Sequence, residues 1–418
     1  MKTNAEVYDL FAQHVSPGKV EFLRAGGIEF AMGRREGPFL WDIEGKHRLI
    51  NCHVNGGTFN LGHRNPEVIA AVVGSLEHLD VGNHHLPSPA RARLAKRLAE
   101  TSPGGRLVYS VFGVSGGEAI DLAIKVARRR TQRRKIISYD LGYHGHTGLA
   151  LGTGHSKYPQ YFYSLDDDSL RVPFNDLEAL RAALDEDVAA LLFETIPATA
   201  GMPIPEPGFL AEAKSLCEAN GSLYIADEVQ TGLGRTGRLW GVETFSVEPD
   251  MLVSAKGLSG GIYPITATMM TEECYRVFDE DPFAHVSTMG GAEPGCVAAE
   301  KVLEITCRPG FLDNVRDVSE RMGSGLAVLQ DKYPDDLAEV RRCGLFIGLV
   351  FSHNDGGMVM MKTCFDAGLL CWVAGNDRRV LQFLPPLITD AALTDEILER
   401  LDQAMAAYHG LISAARLG

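Results

Sequence analysis

The sequence predicts an α/β protein, with a large unit built on a mainly parallel sheet flanked by helices and a smaller α+β unit after it. Three observations lead there. From about Arg91 onward, helical periods alternate with short apolar runs. Several runs, such as Ala189-Ala-Leu-Leu-Phe193, are continuously apolar, as strands covered on both faces must be. The 418 residues, 45% hydrophobic and 22% charged, are enough to bury a core of that size.

In chain order, the periodicity predicts helices over 89–101, 116–130 and 208–220. It predicts strands over 106–112, 135–139, 188–194, 222–227, 251–254 and 265–270. The texture then changes. Long helices are expected over 293–307 and 313–333, strands over 345–351 and 380–384, and a last helix over 394–409. Thr394-Asp-Glu-Ile would put two acidic residues in that helix's first turn, where the dipole favours them.

Composition excludes several classes. A net charge of −14 argues against a broad nucleic-acid surface, which needs excess Lys and Arg to displace counterions. No apolar run approaches the roughly 20 residues that span a bilayer, and Met1 to Gln13 lacks a signal-peptide layout. The eight cysteines are scattered without a C-x-x-C pair, which suits reduced thiols in a cytoplasmic protein. No metal is expected, because the close pairs His84–His85 and His144/His146 have no Cys or acidic partners at ligand spacing.

Four stretches carry chemistry when read together. Gly113-Val-Ser-Gly-Gly-Glu118 follows a strand and opens a helix, so the small Ser115, Gly116 and Gly117 let backbone N–H groups approach an anion. Tyr143-His-Gly-His-Thr147 ends a strand with an aromatic able to lie on a planar ring. An apolar strand delivers Asp227 and Glu228 to Val229-Gln-Thr-Gly. Strand alternation sends the two carboxylates to opposite sides. Lys256 follows another apolar strand and precedes glycines. Burial there lowers an amine's pKa and frees a nucleophile for Schiff-base chemistry. Each stretch alone reads as an ordinary turn, core tyrosine, edge acid pair or surface lysine. In combination they describe a site for a flat cationic heterocycle bearing a phosphate and an aldehyde, with Lys256 bonded to the aldehyde and Asp227 paired with a protonated ring nitrogen.

This ordered set resembles the class III aminotransferases, the ornithine, GABA and ω-amino-acid group. The resemblance extends from Leu40-Trp-Asp-Ile-Glu-Gly-Lys46 to Phe383-Leu-Pro-Pro-Leu387. It implies a fold type I architecture, with residues 1–60 joining the small domain, 61–306 forming the large domain and 307–418 the C-terminal small domain. It implies pyridoxal 5'-phosphate, with a Schiff base on Lys256. Gly116 and Gly117 match the phosphate-binding positions, Tyr143 the stacking aromatic and Asp227 the pyridinium partner. Val229 matches the residue on the other ring face, and Gln230 the one near the ring hydroxyl. Thr288, in Ser287-Thr-Met-Gly-Gly291, resembles a threonine that reaches the phosphate of the neighbouring subunit in a homodimer.

Departures from the pattern bear on the substrate. Where many members carry an arginine that forks onto an α-carboxylate, this chain has Gln382, and at the matching glutamate gate it has Thr199. The expected substrate is therefore a primary amine without a carboxylate beside its reacting carbon, such as an amino sugar, polyamine or ω-amine, exchanging its amino group with a carbonyl acceptor. His53, Asn55 and Phe59 lie along the substrate-entry segment, and Arg378 or Arg379 are candidates to meet a donor's carboxylate. Gly117 replaces the usual threonine or serine, removing a hydroxyl from the phosphate cup at an expected cost of roughly 1.5–3 kcal/mol. The same scaffold also serves epimerases, aminomutases and eliminating lyases, which differ by returning the cofactor to its starting form when given amine alone.

Overall fold

The structure, a computed structural model, describes residues 1–81, 85–164 and 167–417; His84, of the His84–His85 pair, lies outside these. Its largest sheet has seven strands. In spatial order they are Tyr109–Gly113, Thr266–Met270, Met251–Ser254, Leu223–Asp227, Val188–Glu194, Lys135–Tyr139 and Ser169–Val172. All neighbours pair parallel except Thr266–Met270, which is antiparallel to both of its partners.

Alternation along these strands explains why both faces are covered. Leu191, Phe193, Tyr224 and Ala226 feed one core with Leu94 and Leu98 of the helix Pro89–Glu100. Ala190, Leu192 and Ile225 feed the other with Ile120 and Ile124 of the helix Gly116–Thr131. Every residue of Val188–Glu194 is buried, at roughly 1.5–3 kcal/mol for each large apolar side chain. That is the physical meaning of its unbroken apolar run.

Two four-stranded sheets stand apart. One joins Met32–Glu36, Phe39–Asp42 and Arg48–Asn51 near the start of the chain to Leu369–Leu370 near its end. The other contains Leu337–Cys343, Phe346–Phe351, Val380–Phe383 and Trp372–Val373. A third core lies beneath them, packed by the helices Phe311–Lys332 and Gly356–Asp366 and by the last helix. Arg235, fully buried, fastens this region to the loop after Asp227. Its guanidinium donates to the Leu345 and Pro385 carbonyls (3.2 and 2.6 Å) and to Asn60 Oδ1 at 2.5 Å.

The last helix corrects one expectation. It begins at Ala391, and Asp390 caps it by accepting from the Leu393 N–H at 2.8 Å, so Asp395 and Glu396 fall in its second turn. The early strands and Ser169–Val172 escaped the sequence reading because they are only four or five residues long and mix polar with apolar residues; Met32–Glu36 has no buried residue. No helix among the described residues is long and apolar enough to cross a membrane.

Candidate active site

Direction places the site. Tyr109–Gly113 is antiparallel to Thr266–Met270, which is antiparallel to Met251–Ser254, so the first strand runs with the parallel set. The turn after Gly113 and the loops after Tyr139, Glu194, Asp227 and Ser254 therefore open on one edge, where parallel sheets bind their ligands. A cavity of about 750 Å³ occupies that edge. It is lined by Ser115, Gly116, Gly117 and Tyr143 from one side, and by Asp227, Val229, Gln230 and Lys256 from the other.

Lys256 lies two residues beyond its strand with φ +42°, in the left-handed region that non-glycine residues adopt at a cost of about 1–3 kcal/mol. The backbone must turn there because the next residue packs against the 57–60 segment. A Cβ on Gly257 would stand 3.0 Å from the Gly57 carbonyl and the Asn60 amide. No ion pair holds the Lys256 amine among the described residues, and burial pulls its pKa below the usual lysine value, against the opposing pull of Asp227 and Glu194.

Asp227 is buried and doubly held. Its Oδ2 lies 2.8 Å from His144 Nδ1, and its Oδ1 accepts from the Val229 N–H at 3.1 Å. Glu194 sits beside it in parallel register. The Glu194 carboxyl accepts from the Tyr143 N–H (2.9 Å) and the Ala198 N–H (3.2 Å), so one acid fixes both the aromatic and the next turn. Burial raises the Glu194 pKa; His144 opposes that rise and Asp227 adds to it. Glu228 does not line the cavity. It bonds to Thr195 Oγ1 and to the Gly241 and Val242 N–H groups, and burial pushes its pKa up to about 7.

These residues fit pyridoxal phosphate. Gln230 Oε1 is buried without a partner, and it meets the same point as Lys256: a Cβ on Gly56 would lie 2.9 Å from that oxygen and 3.4 Å from Lys256 Cε. The Val229 methyls stand 3.7 and 3.8 Å from where a Gly116 Cβ would be, so an apolar face adjoins the glycine turn. An uncompensated amine, an anchored carboxylate, an aromatic and a turn of small residues thus share one cavity.

The remaining predicted residues stand outside its lining. From the 53–59 segment it is Thr58 that lines the cavity, while Asn55 is exposed. His53 is within hydrogen-bonding reach of Gln382, and burial, with Lys256 and Arg235 nearby, takes its pKa down to about 4. Gln382 is buried in Val380–Phe383. Arg378 is exposed and paired with Asp355 at 2.5 Å, and Arg379 with Asp377 at 2.9 Å. Thr199 meets Asn376, whose N–H donates to the Thr199 carbonyl at 2.8 Å. Thr288 is exposed, beside the exposed Phe283, Val286 and Met289. The sequence reading did not single out His144 or Glu194. A histidine next to Tyr143 and a carboxylate ending a wholly apolar strand were the available signals.

The family model for aminotransferase class-III matches residues 24–405. An uncharacterized aminotransferase of Archaeoglobus fulgidus is 52% identical over 401 residues, covering 96% of this chain and 94% of that protein. The crystal structure of an ornithine aminotransferase from Toxoplasma gondii ME49 superposes with a TM-score of 0.89 at 26% identity, covering 98% of this chain and 96% of that one. A second structure of the Toxoplasma gondii enzyme, described with partial occupancy of PLP at its active site, gives 0.85 at 26% identity, covering 98% and 99%.

Proposed function

The chain belongs to the class-III aminotransferases, and we propose that within this family it takes its amino group from a primary amine lacking a carboxylate beside the reacting carbon and passes it to a carbonyl acceptor. Its cofactor is pyridoxal 5'-phosphate, which when bound supplies the electron-withdrawing ring that makes a proton on the amine-bearing carbon removable.

The protein's part is to hold and to move protons. Lys256 Nζ would hold the cofactor's aldehyde and, when free, would serve as the general base toward the proton on the substrate carbon, for which a lowered pKa is suited. Asp227, oriented by His144, would pair with the ring nitrogen. Tyr143 and Val229 would cover the ring's two faces, Gln230 would meet its hydroxyl, and Ser115, Gly116 and Gly117 would hold the phosphate.

The observation that carries the substrate reading is the cavity's charge. Among the described residues that line it, Lys256 is the only lysine or arginine, and outside the lining His53, its pKa down to about 4, stays neutral at pH 7 beside Gln382. A substrate α-carboxylate would enter without a guanidinium to receive it. The test compares glutamate, alanine and carboxylate-free amines as donors to the purified yellow enzyme, read by loss of the cofactor's visible band. Carboxylate-free amines are expected to react fastest; glutamate reacting fastest, with Gln382→Ala leaving its rate unchanged, would refute the reading.

The working form in this proposal is a homodimer in the cytoplasm. The exposed apolar residues around Thr288 support an interface there, and the eight free cysteines suit a reducing compartment. Sedimentation gives the oligomeric state. Fully active monomers would remove Thr288 from the site.

A further inference from the structure

The phosphate cup has fewer donors than its outline suggests. Ser115 caps the helix Gly116–Thr131, its hydroxyl accepting from the Glu118 N–H at 3.3 Å, and the Val114 N–H is taken by Glu118 Oε2 at 2.7 Å. The N–H groups of Ser115, Gly116 and Gly117, with the Ser115 O–H proton, are left for an anion. A phosphate offers three terminal oxygens. Position 117 adds no side chain.

The space that such a side chain would fill is taken. A Cβ built on Gly117 would lie 2.6 Å from Thr147 Oγ1, too close unless Thr147 shifts, and 3.2 Å from its Cγ2, a tight contact. The loop is pressed onto the turn along its length, for a Cβ on Gly145 would lie 2.7 Å from Gly117 Cα. Thr147 lines the same cavity as Ser115, Gly116 and Gly117. It also occupies the position before the short helix Gly148–Thr153 without making a side-chain cap bond, so its hydroxyl is not spent on the backbone behind it. The missing hydroxyl and the intruding one coincide in space.

We propose that Thr147 supplies to the cofactor's phosphate the hydroxyl that position 117 lacks, an inference that rests on the placement of the phosphate at 115–117. Positions 117 and 147 then form an exclusive pair: a side chain at 117 displaces the Thr147 hydroxyl, and a glycine at 117 admits it. The expected penalty of Gly117 is thereby offset from the opposite loop.

The test measures binding, not turnover. Apoenzyme is titrated with pyridoxal phosphate and with pyridoxal, following the visible band, and the melting temperature of each apo variant reports folding. Thr147→Ala and Thr147→Val should weaken pyridoxal phosphate by roughly tenfold or more, the worth of one hydrogen bond to a charged group, and leave pyridoxal unchanged. Thr147→Ser should restore the affinity. Gly117→Ser alone should weaken binding, while Gly117→Ser with Thr147→Ala should recover most of it, because the hydroxyl returns from the other side into cleared space. An unchanged preference for the phosphorylated form in Thr147→Ala overturns the proposal, as does its loss in Thr266→Val instead, since Thr266 carries a buried, unpartnered hydroxyl on the same cavity. Gly116→Val separates the two levels. If it keeps the preference for phosphate, the phosphate lies elsewhere and the placement falls; if it loses that preference while Thr147→Ala does not, only the hydroxyl assignment falls.

Discussion

The two walls beside Lys256 are built by different rules. The wall from the seven-stranded sheet is made of strand ends and the turns that follow them, so each residue's place is set by a strand whose neighbours fix its register: Asp227 stands opposite Glu194 on one side and Val253 on the other. The wall from the N-terminal segment and the small sheet joins stretches far apart in the chain, His53 meeting Gln382 and Asn60 meeting Arg235. The first wall presents carboxylates in fixed positions, whereas in the second His53 and Gln382 are neutral and the Arg235 guanidinium is taken up by carbonyl and amide oxygens. Chemistry common to a family can be anchored in the first; choice among substrates is left to the second.

If that division holds, substitutions in the first wall damage all substrates alike. Lys256→Ala should lower amino transfer by about 10³-fold or more, since it removes both the attachment point and the general base, and borohydride followed by peptide mapping should find no label. A label at another lysine in the unaltered protein would break the comparison outright. Asp227→Asn should cost about 10²–10³-fold with every amine, by removing the fixed charge; a loss confined to some amines would place Asp227 in substrate choice. His144→Ala should act in the same direction through Asp227, without a change in the order of preferred amines.

Substitutions in the second wall should reorder substrates and spare the cofactor. Gln382→Ala is expected to change the ratio of kcat/KM between two amines by about tenfold or less, the scale of one neutral hydrogen bond, with pyridoxal phosphate affinity unchanged. A matching fall in cofactor affinity would merge the two walls into one.

The smallest effect is on stability. His63, whose Nε2 lies 2.9 Å from Asn51 Nδ2, has its pKa pushed down to about 4 by burial and by Arg35. Above pH 6.5 the ring is neutral in both folded and unfolded chains and costs nothing; as pH falls from 6.5 toward 4 the unfolded chain binds a proton that the folded one refuses, and stability drops. Glu228 works in the opposite sense, its raised pKa favouring the folded chain toward acid. The unfolding free energy of the protein minus that of His63→Gln isolates the histidine, and should fall by roughly 1–3 kcal/mol between pH 6.5 and 4 in urea titrations.

The same division decides what was legible in the sequence. Lys135–Tyr139, Val188–Glu194 and Met251–Ser254 are read to the residue from their apolar centres, because a strand buried on both faces has little freedom to be polar except near its ends. The residues at their carboxyl ends could then be ordered around one cavity before any coordinates. His144 was hidden because a histidine in a glycine loop is most often solvated, and only the fold brings it to Asp227 from 83 residues away. The pairing of His53 with Gln382, and of Thr199 with Asn376, has no local signal at all. Thr147 was visible as a letter, but its approach to Gly117 depends on how one loop lies on another.

Arg235 sets the terms on which the molecule can open. Its charge is shared among acceptors on three stretches that the chain reaches at Asn60, Leu345 and Pro385, and no carboxylate among the described residues pairs with it. Pulling those stretches off the central layer would strand a dry cation, a penalty of several kcal/mol. The three stretches are therefore tied to one another through a single buried guanidinium, and loosening any one of them weakens the hold on the other two.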